Sequence, residues 1–206
     1  MNKEFDVIVV GARCAGAPTA MLLARKGYRV LLVDRASFPS DTVSTHVIHA
    51  PGVAALNRWG LLDSVTATGC PPARTYSYDF GPFSIAGTPR PIEGQSAAYA
   101  PRRMVLDKIL VDAAARAGAE VREGFTVEDL VVEHGEVVGI RGRTAGGSPV
   151  EERARVVIGA DGRNSHIAKL VEPQHYNEKP MTMPPIAVMG AATSSVQVIS
   201  TSICTC

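Results

Sequence analysis

Residues 5–34 read FDVIVVGARCAGAPTAMLLARKGYRVLLVD, in which two short apolar runs flank a glycine-rich turn and a helical pattern. The runs at 7–10 and 30–33 have the length and composition of central parallel strands, which are covered on both faces. Between them small residues recur at helical spacing, and Pro18 falls in the first turn, where its missing N–H costs nothing. This order of elements predicts a βαβ unit of the kind that holds a dinucleotide.

The turn after the first strand is the predicted phosphate site. Gly11 permits the sharp turn, Gly16 allows close helix–strand packing, and free N–H groups at the helix start can receive a pyrophosphate. Asp34 ends the second strand, where an acid accepts hydrogen bonds from an adenosine ribose. Arg13 occupies the place of the middle glycine in G-x-G-x-x-G, so it must either point away from the ligand or supply charge to it. Arg35 either stacks on adenine or is solvated. The alternative to a dinucleotide site is a βαβ unit that binds no ligand.

Composition narrows the class of protein. The chain has 206 residues, 46% hydrophobic and 20% charged, which predicts one large domain, or one and a half small ones, with a buried core. A net charge of +1 gives no broad attraction to nucleic acid or membrane. Four cysteines without scaffold spacing favour reduced thiols in a cytosol. We therefore expect a cytoplasmic protein with no signal peptide, no membrane span and no nucleic-acid partner.

The remaining chain alternates strand and helix patterns. Residues 71–100 carry many turn signals between short strand patterns, such as 75–80 and 97–100, and predict a β-rich insertion. An apolar stripe over 103–117 predicts a helix. Segments 120–122, 126–132 and 137–143 predict a β-meander, and 153–158 a further strand. His46 and His49 have the spacing of a metal pair but no nearby acid or cysteine, so no metal site is expected.

Three stretches together resemble the FAD-dependent monooxygenases of the aromatic-hydroxylase type and the related geranylgeranyl-reductase-like flavoproteins. The first is VGARCAG at 10–16 with Asp34, and the second is PRRMVLD at 101–107, similar to the family's Arg-x-x-Leu-Asp helix start. The third is VVIGADGRNS at 156–165, similar to the family's Asp-Gly motif. The resemblance covers roughly residues 5–171.

The resemblance implies an α/β fold, a Rossmann-like FAD-binding domain in which a βαβ unit with a parallel sheet is joined to a β-meander. It assigns 1–70 and 101–171 to that domain and 71–100 to a partial inserted β-rich substrate region. Arg103 would reach the phosphate–ribityl region of FAD, the backbone of Val127 would contact adenine, and Asp161 would approach the ribityl–pyrophosphate region. The candidate cofactor-binding set is therefore Gly11, Ala12, Arg13, Cys14, Ala15, Gly16, Asp34, Arg35, Arg103, Val127 and Asp161.

The implied function is that of an oxidoreductase flavoprotein. NAD(P)H would reduce FAD, and the reduced cofactor would use oxygen to hydroxylate an aromatic or other small organic substrate. No catalytic side chain is assigned, because the cofactor carries that chemistry. Two alternatives stay open: a flavin-dependent reductase of isoprenoid double bonds, and a non-catalytic nucleotide-binding protein. The halogenase branch is disfavoured, since the sole tryptophan, Trp59, does not lie in a Trp-x-Trp-x-Ile-Pro motif.

Residues 172–206 differ abruptly from the rest of the sequence. No charged residue follows Lys179 and no aromatic residue follows Tyr176. The family's second glycine–aspartate motif is missing from this stretch, which we interpret as a truncated or frame-shifted tail. The alternatives are a divergent final strand or a partner-binding segment. We expect the chain to anchor the ADP half of FAD, while the flavin half depends on further structure.

Overall fold

A computed structural model describes residues 5–44, 46–173 and the strand at 196–199. The described residues form two compact units, one of 5–41 with 104–173 and one of 42–103 with 196–199. The domain boundaries expected from the sequence stay a prediction. Of the tail at 172–206, all but 172–173 and 196–199 lies outside the described residues.

Strands and helices alternate along the chain in the order expected of an α/β fold. The strands are β1 (Phe5–Val10), β2 (Val30–Asp34), β3 (Tyr76–Asp79), β4 (Ser84–Gly87), β5 (Glu120–Glu123), β6 (Thr126–Glu133), β7 (Glu136–Arg143), β8 (Pro149–Gly159) and β9 (Val196–Ile199). The helices are α1 (Gly16–Arg25), α2 (Ala50–Arg58), α3 (Leu62–Thr66), α4 (Arg103–Arg116) and α5 (His166–Val171). In the part of the chain that the structure describes, no helix is both long and apolar enough to cross a bilayer.

The first unit is built on one six-stranded sheet in the order β5-β2-β1-β8-β7-β6. Strands β5, β2, β1 and β8 are parallel, whereas β8, β7 and β6 form an antiparallel meander. Strand β8 belongs to both parts, because 149–153 pair with β7 and 154–159 pair with β1. The α/β fold with a mainly parallel central sheet is thereby confirmed.

The core of this unit follows from the two-residue period of its strands. Ile8 and Leu31 lie side by side in the register of β1 and β2 and share one face of the sheet. On that face they join a buried cluster that includes Phe125, Ile140 and Ile167. Helix α1 packs against β1 and β2 and buries its small residues, among them Ala17 and Ala20. The carboxyl ends of β1, β2 and β8 are thus held in fixed register around the glycine turn.

The second unit contains a hairpin with one apolar face. Tyr76, Tyr78 and Phe80 alternate with polar residues, and the register sets Tyr78 opposite Ile85 and Phe80 opposite Phe83. The four outer members, 78, 80, 83 and 85, are 43–57% exposed, and the two phenylalanine rings are stacked. Strand β9 pairs in parallel with β3. The strand predicted at 97–100 is wrong, because these residues form isolated bridges at Ala98 and Tyr99.

Candidate dinucleotide site

Two glycines shape the turn after β1. Gly11 has φ +101°, and a Cβ there would lie 2.5 Å from the carbonyl oxygen of Ala160. A Cβ on Gly16 would lie 1.7 Å from the carbonyl oxygen of Gly11. The Ala160 N–H donates to the Val10 carbonyl at 2.7 Å, which locks the turn after β1 to the turn after β8. Any side chain at Gly11 or Gly16 would force this backbone apart.

The start of α1 has the properties of an anion site. Ala15 precedes the helix and provides no side-chain cap. The Ala17 N–H donates to the Arg13 carbonyl at 3.0 Å and Pro18 has no N–H, so the N–H groups that a ligand could reach come before Ala17. Cys14 and Ala15 are exposed, whereas Gly16 is buried. The first N–H groups of a helix lack intrahelical acceptors, and the helix dipole favours negative charge there. A ten-residue helix with this open start fits a diphosphate.

Asp34 fixes the same turn from the end of β2. Its Oδ2 accepts a hydrogen bond from the Ala12 N–H at 2.7 Å, and its Oδ1 accepts one from the Ala36 N–H at 2.8 Å. An ionised carboxylate has about four lone-pair positions, so the half-buried group can still accept from ribose hydroxyls. Arg35 is exposed. The acid therefore both shapes the turn and offers acceptors beside it.

Arg13 is directed towards α4 and the loop after β2. Its guanidinium donates to a carboxylate oxygen of Asp107 at 2.6 Å and to the Ser40 hydroxyl at 3.0 Å, and it lies 5.4 Å from the Phe38 ring centroid. Asp107 is 0% exposed. The thiol of Cys14 lies 3.4 Å from its other carboxylate oxygen.

The sequence motif at 101–107 includes Asp107 but does not indicate a role for it. A signal was present, because Asp107 lies among the apolar residues of the predicted helix stripe, next to Leu106 and one turn from Leu110 and Val111. A buried carboxylate at such a position needs a partner.

Asp161 is engaged by the start of α5. Its carboxylate accepts hydrogen bonds from the Ser165 hydroxyl, the His166 N–H at 2.6 Å and the Ile167 N–H at 3.2 Å. Partial burial alone would raise the pKa of Asp161, but these hydrogen bonds outweigh burial and lower it below its usual value. Its backbone N lies 2.8 Å from where a Cβ on Gly11 would be. The backbone of Asp161 thus lies at the turn after β1, while its carboxylate is hydrogen-bonded to the start of α5.

The remaining candidate residues lie on α4 and β6. The Phe125 N–H donates to the Asp34 carbonyl at 2.8 Å, which holds the start of β6 against the end of β2. Val127 is two residues further along β6 and pairs with Gly142. Arg103 is the half-buried first residue of α4, one turn before Asp107. The structure therefore brings Gly11–Gly16, Asp34 and the backbone of Asp161 to one edge of the sheet.

A polar pair lies in the second unit. The Tyr76 hydroxyl and Nδ1 of His49 are hydrogen-bonded at 2.8 Å, and their rings are stacked at 5.6 Å between centroids. Burial, and secondarily Tyr78, raises the pKa of Tyr76, so its hydroxyl stays protonated at neutral pH. Among the described side chains, no three of the histidine, cysteine and acidic type converge as a metal site.

Comparison with known sequences gives a consistent match. The chain matches the sequence family described as FAD binding domain over residues 4–203. It is 31% identical over 172 residues to a digeranylgeranylglycerophospholipid reductase of Methanocella arvoryzae, covering 82% of this chain and 42% of the relative. It is 32% identical over 176 residues to Protein FixC of Salmonella typhi, covering 80% and 38%. The chain thus spans about two fifths of the length of these curated relatives.

Solved structures show the same fold. A flavoprotein/dehydrogenase of Cytophaga hutchinsonii superposes with a TM-score of 0.74 at 25% identity, over 87% of this chain and 44% of that one. A myxobacterial FAD-dependent chondrochloren halogenase superposes with a TM-score of 0.73 at 28% identity, over 80% and 39%. A geranylgeranyl bacteriochlorophyll reductase-like protein of Thermoplasma acidophilum superposes with a TM-score of 0.65 at 25% identity, over 77% and 39%.

Proposed function

We propose, from the premise that this chain belongs to the FAD binding domain family, that its first unit holds the ADP half of FAD within a flavin-dependent oxidoreductase. One observation carries the proposal: the loop that leads into the uncapped start of α1 lies between two constrained glycines, Gly11 and Gly16, and beside the carboxylate of Asp34. Each of these features matches a different part of the ligand. The open N–H groups suit the diphosphate, and the acid suits the adenosine ribose.

The residues present would bind and orient the cofactor. The N–H groups at 14–16, where α1 begins, would fix the diphosphate, and Gly16 lets the helix pack closely against the carbonyl of Gly11. Asp34 would accept from the ribose while its existing hydrogen bonds hold the loop. FAD, when bound, supplies electron transfer between a donor and a substrate. The protein's own contribution at this site is therefore placement rather than a covalent step.

The first candidate reaction is hydroxylation of an aromatic or other small organic molecule, with NAD(P)H as electron donor. It is supported by the resemblance of the three motifs, including Asp161-Gly162, to the aromatic-hydroxylase type. Under this proposal the chain acts in the cytoplasm on a small-molecule substrate.

The second candidate is reduction of isoprenoid double bonds. Seven curated relatives at 30–33% identity are named digeranylgeranylglycerophospholipid reductases, which supports reduction more directly than the motifs support hydroxylation. The exposed apolar face of the β3–β4 hairpin also suits an apolar substrate. Because the chain spans about two fifths of those relatives, either activity is a proposal for the protein as a whole.

The test begins with the purified chain. We expect a visible flavin spectrum after addition of FAD, and competition by ADP. The Asp34→Ala variant should bind both ligands more weakly, whereas Asp129→Ala, at an exposed acid of the meander, should not. Binding of ADP without FAD would favour the non-catalytic alternative, and failure to bind either would refute the proposal. With flavin bound, oxygen uptake on NAD(P)H addition would favour hydroxylation, and anaerobic alkene reduction would favour the reductase.

A further inference from the structure

The residue in place of the middle glycine is held by a buried acid. Arg13 retains 28% side-chain exposure, yet its contacts to Asp107 and to the hydroxyl and carbonyl of Ser40 use three of its five N–H donors. The ring of Phe38 lies against the guanidinium. These contacts fix the side chain on the α4 side of the loop. The exposed backbone at Cys14 and Ala15, just before α1, therefore stays accessible despite the missing glycine.

Asp107 reaches two consecutive loop residues at once. One carboxylate oxygen binds the guanidinium of Arg13, and the other accepts from the thiol of Cys14 at 3.4 Å. The two residues are 94 and 93 positions away in sequence. A fully buried carboxylate needs well-placed hydrogen-bond and charge partners. Removing one member of a buried ion pair therefore costs far more folding free energy than removing both.

The charge of this pair matters to an anionic ligand. A carboxylate in contact with Arg13 and Cys14 would repel a diphosphate bound at this loop, because charges in a poorly hydrated site are weakly screened. The adjacent Arg13 guanidinium offsets that repulsion. The Arg13–Asp107 pair therefore adds almost no net charge beside the loop, whereas either residue alone would add a full charge.

We infer that the Arg13–Asp107 ion pair positions the dinucleotide loop, with Asp107 as the positioning residue and Arg13 as its counter-charge rather than a direct phosphate ligand. This inference takes FAD as the ligand from the proposed function, whereas the contacts of Asp107 with Arg13 and Cys14 do not depend on that function. It has an unusual consequence. Restoring the missing glycine by Arg13→Gly should weaken FAD binding, because Asp107 then loses the Arg13 counter-charge.

The competing interpretation, in which Arg13 binds the diphosphate directly, gives opposite results. There Asp107→Asn would release Arg13 towards the ligand and tighten FAD binding, and an Arg13→Gly/Asp107→Asn double variant would remain as weak as Arg13→Gly. Under our inference each single variant weakens FAD binding roughly 2- to 150-fold, the range of couplings between contacting residues. The double variant should then recover to within about 3-fold of the wild type, because the buried charge is gone.

The control is the ion pair between Arg122 and Glu152, which has the same 28% exposure at its arginine and joins β5 to β8. Arg122→Met and Glu152→Gln should lower the thermal midpoint while leaving the FAD dissociation constant unchanged. FAD affinity is measured by flavin fluorescence on the folded, purified variants. Amide hydrogen exchange at 12–17 is measured without ligand, so that the positioning role has a readout independent of cofactor binding.

The outcomes separate the two proposals. Faster exchange at 12–17 in Asp107→Asn, by roughly 10-fold or more, together with rescue in the double variant, supports the inference. Unchanged exchange in Asp107→Asn overturns it, and so does a double variant that binds FAD as weakly as Arg13→Gly. If the wild type binds no FAD while exchange still responds to Asp107→Asn, the proposed function fails and the positioning role stands.

Discussion

Replacement of Asp161 by alanine should destabilise the first unit through α5. The carboxylate accepts from the Ser165 hydroxyl and from two of the N–H groups at the helix start, while Ser165 accepts from the Ala168 N–H. Loss of such a helix-start acceptor costs about 1–2 kcal/mol. The carboxylate is partly exposed, so solvent screening keeps the cost within that range. For a chain of this length the cost corresponds to a fall in the thermal midpoint of roughly 2–8 °C.

The pH dependence of this effect has a definite sign. The pKa of Asp161 is lowered in the folded chain below its ordinary 3.8. Its stabilisation is therefore fully present above that value and is lost as the pH falls through the lowered pKa. The difference between wild type and Asp161→Ala should be constant from pH 7 to about pH 5 and should shrink in more acidic solution.

Thermal unfolding followed by circular dichroism, with FAD affinity measured in parallel, is the decisive assay. Asp63→Ala is a suitable control, because Asp63 is an exposed acid in the first turn of the short helix α3. Asp161→Asn should fall between wild type and Asp161→Ala, since the amide keeps one acceptor. An unchanged midpoint combined with lost FAD binding would contradict the role of the carboxylate in α5 and would place it on the cofactor instead.

Three further variants test the turn and the hairpin. Gly16→Ala should weaken FAD and ADP binding at least roughly 10-fold, since the added Cβ would overlap backbone atoms. Gly87→Ala, at an open position of β4, is the control. Equal binding by the two variants would contradict the constraint at Gly16. Asp34→Asn should weaken ADP and FAD to the same extent, because both share the ribose; isothermal titration with the two ligands measures this, and a loss confined to FAD would count against it. The double variant Phe80→Ser/Phe83→Ser should bind less of a hydrophobic fluorescent dye without lowering the thermal midpoint, because both rings are exposed. A large loss of stability would show that this face of the hairpin is covered.

Local signals in the sequence were sufficient for the βαβ unit. The period of the apolar residues and the position of Gly11 and Gly16 fix β1, α1 and β2, because each feature acts within a few residues. The meander was also predictable, since glycines separate its strands. The stripe that ends before Gly118 likewise gave α4.

Pairings across long separations could not be obtained in this way. The partner of Arg13 lies 94 residues away on α4, and the local sequence of the loop contains no trace of it. The double membership of β8 depends on register, which a short β-branched run does not specify. At Asp161 the motif alone does not distinguish a carboxylate that binds a ligand from one that serves the neighbouring helix. The bridges at 97–100 replaced a strand because their partners lie in separate segments.

The parallel pairing of β1 with β8 has a consequence for synthesis of the chain. Phe5 pairs with Ala154, so one edge of β1 has no partner until nearly 150 further residues have been added. At usual elongation rates that interval is roughly 7–30 s. During this time the apolar strand at 7–10 presents a bare edge of the kind that recruits other chains. Nascent chains should therefore depend on chaperone binding to this edge of β1 until β8 emerges, however stable the finished sheet is.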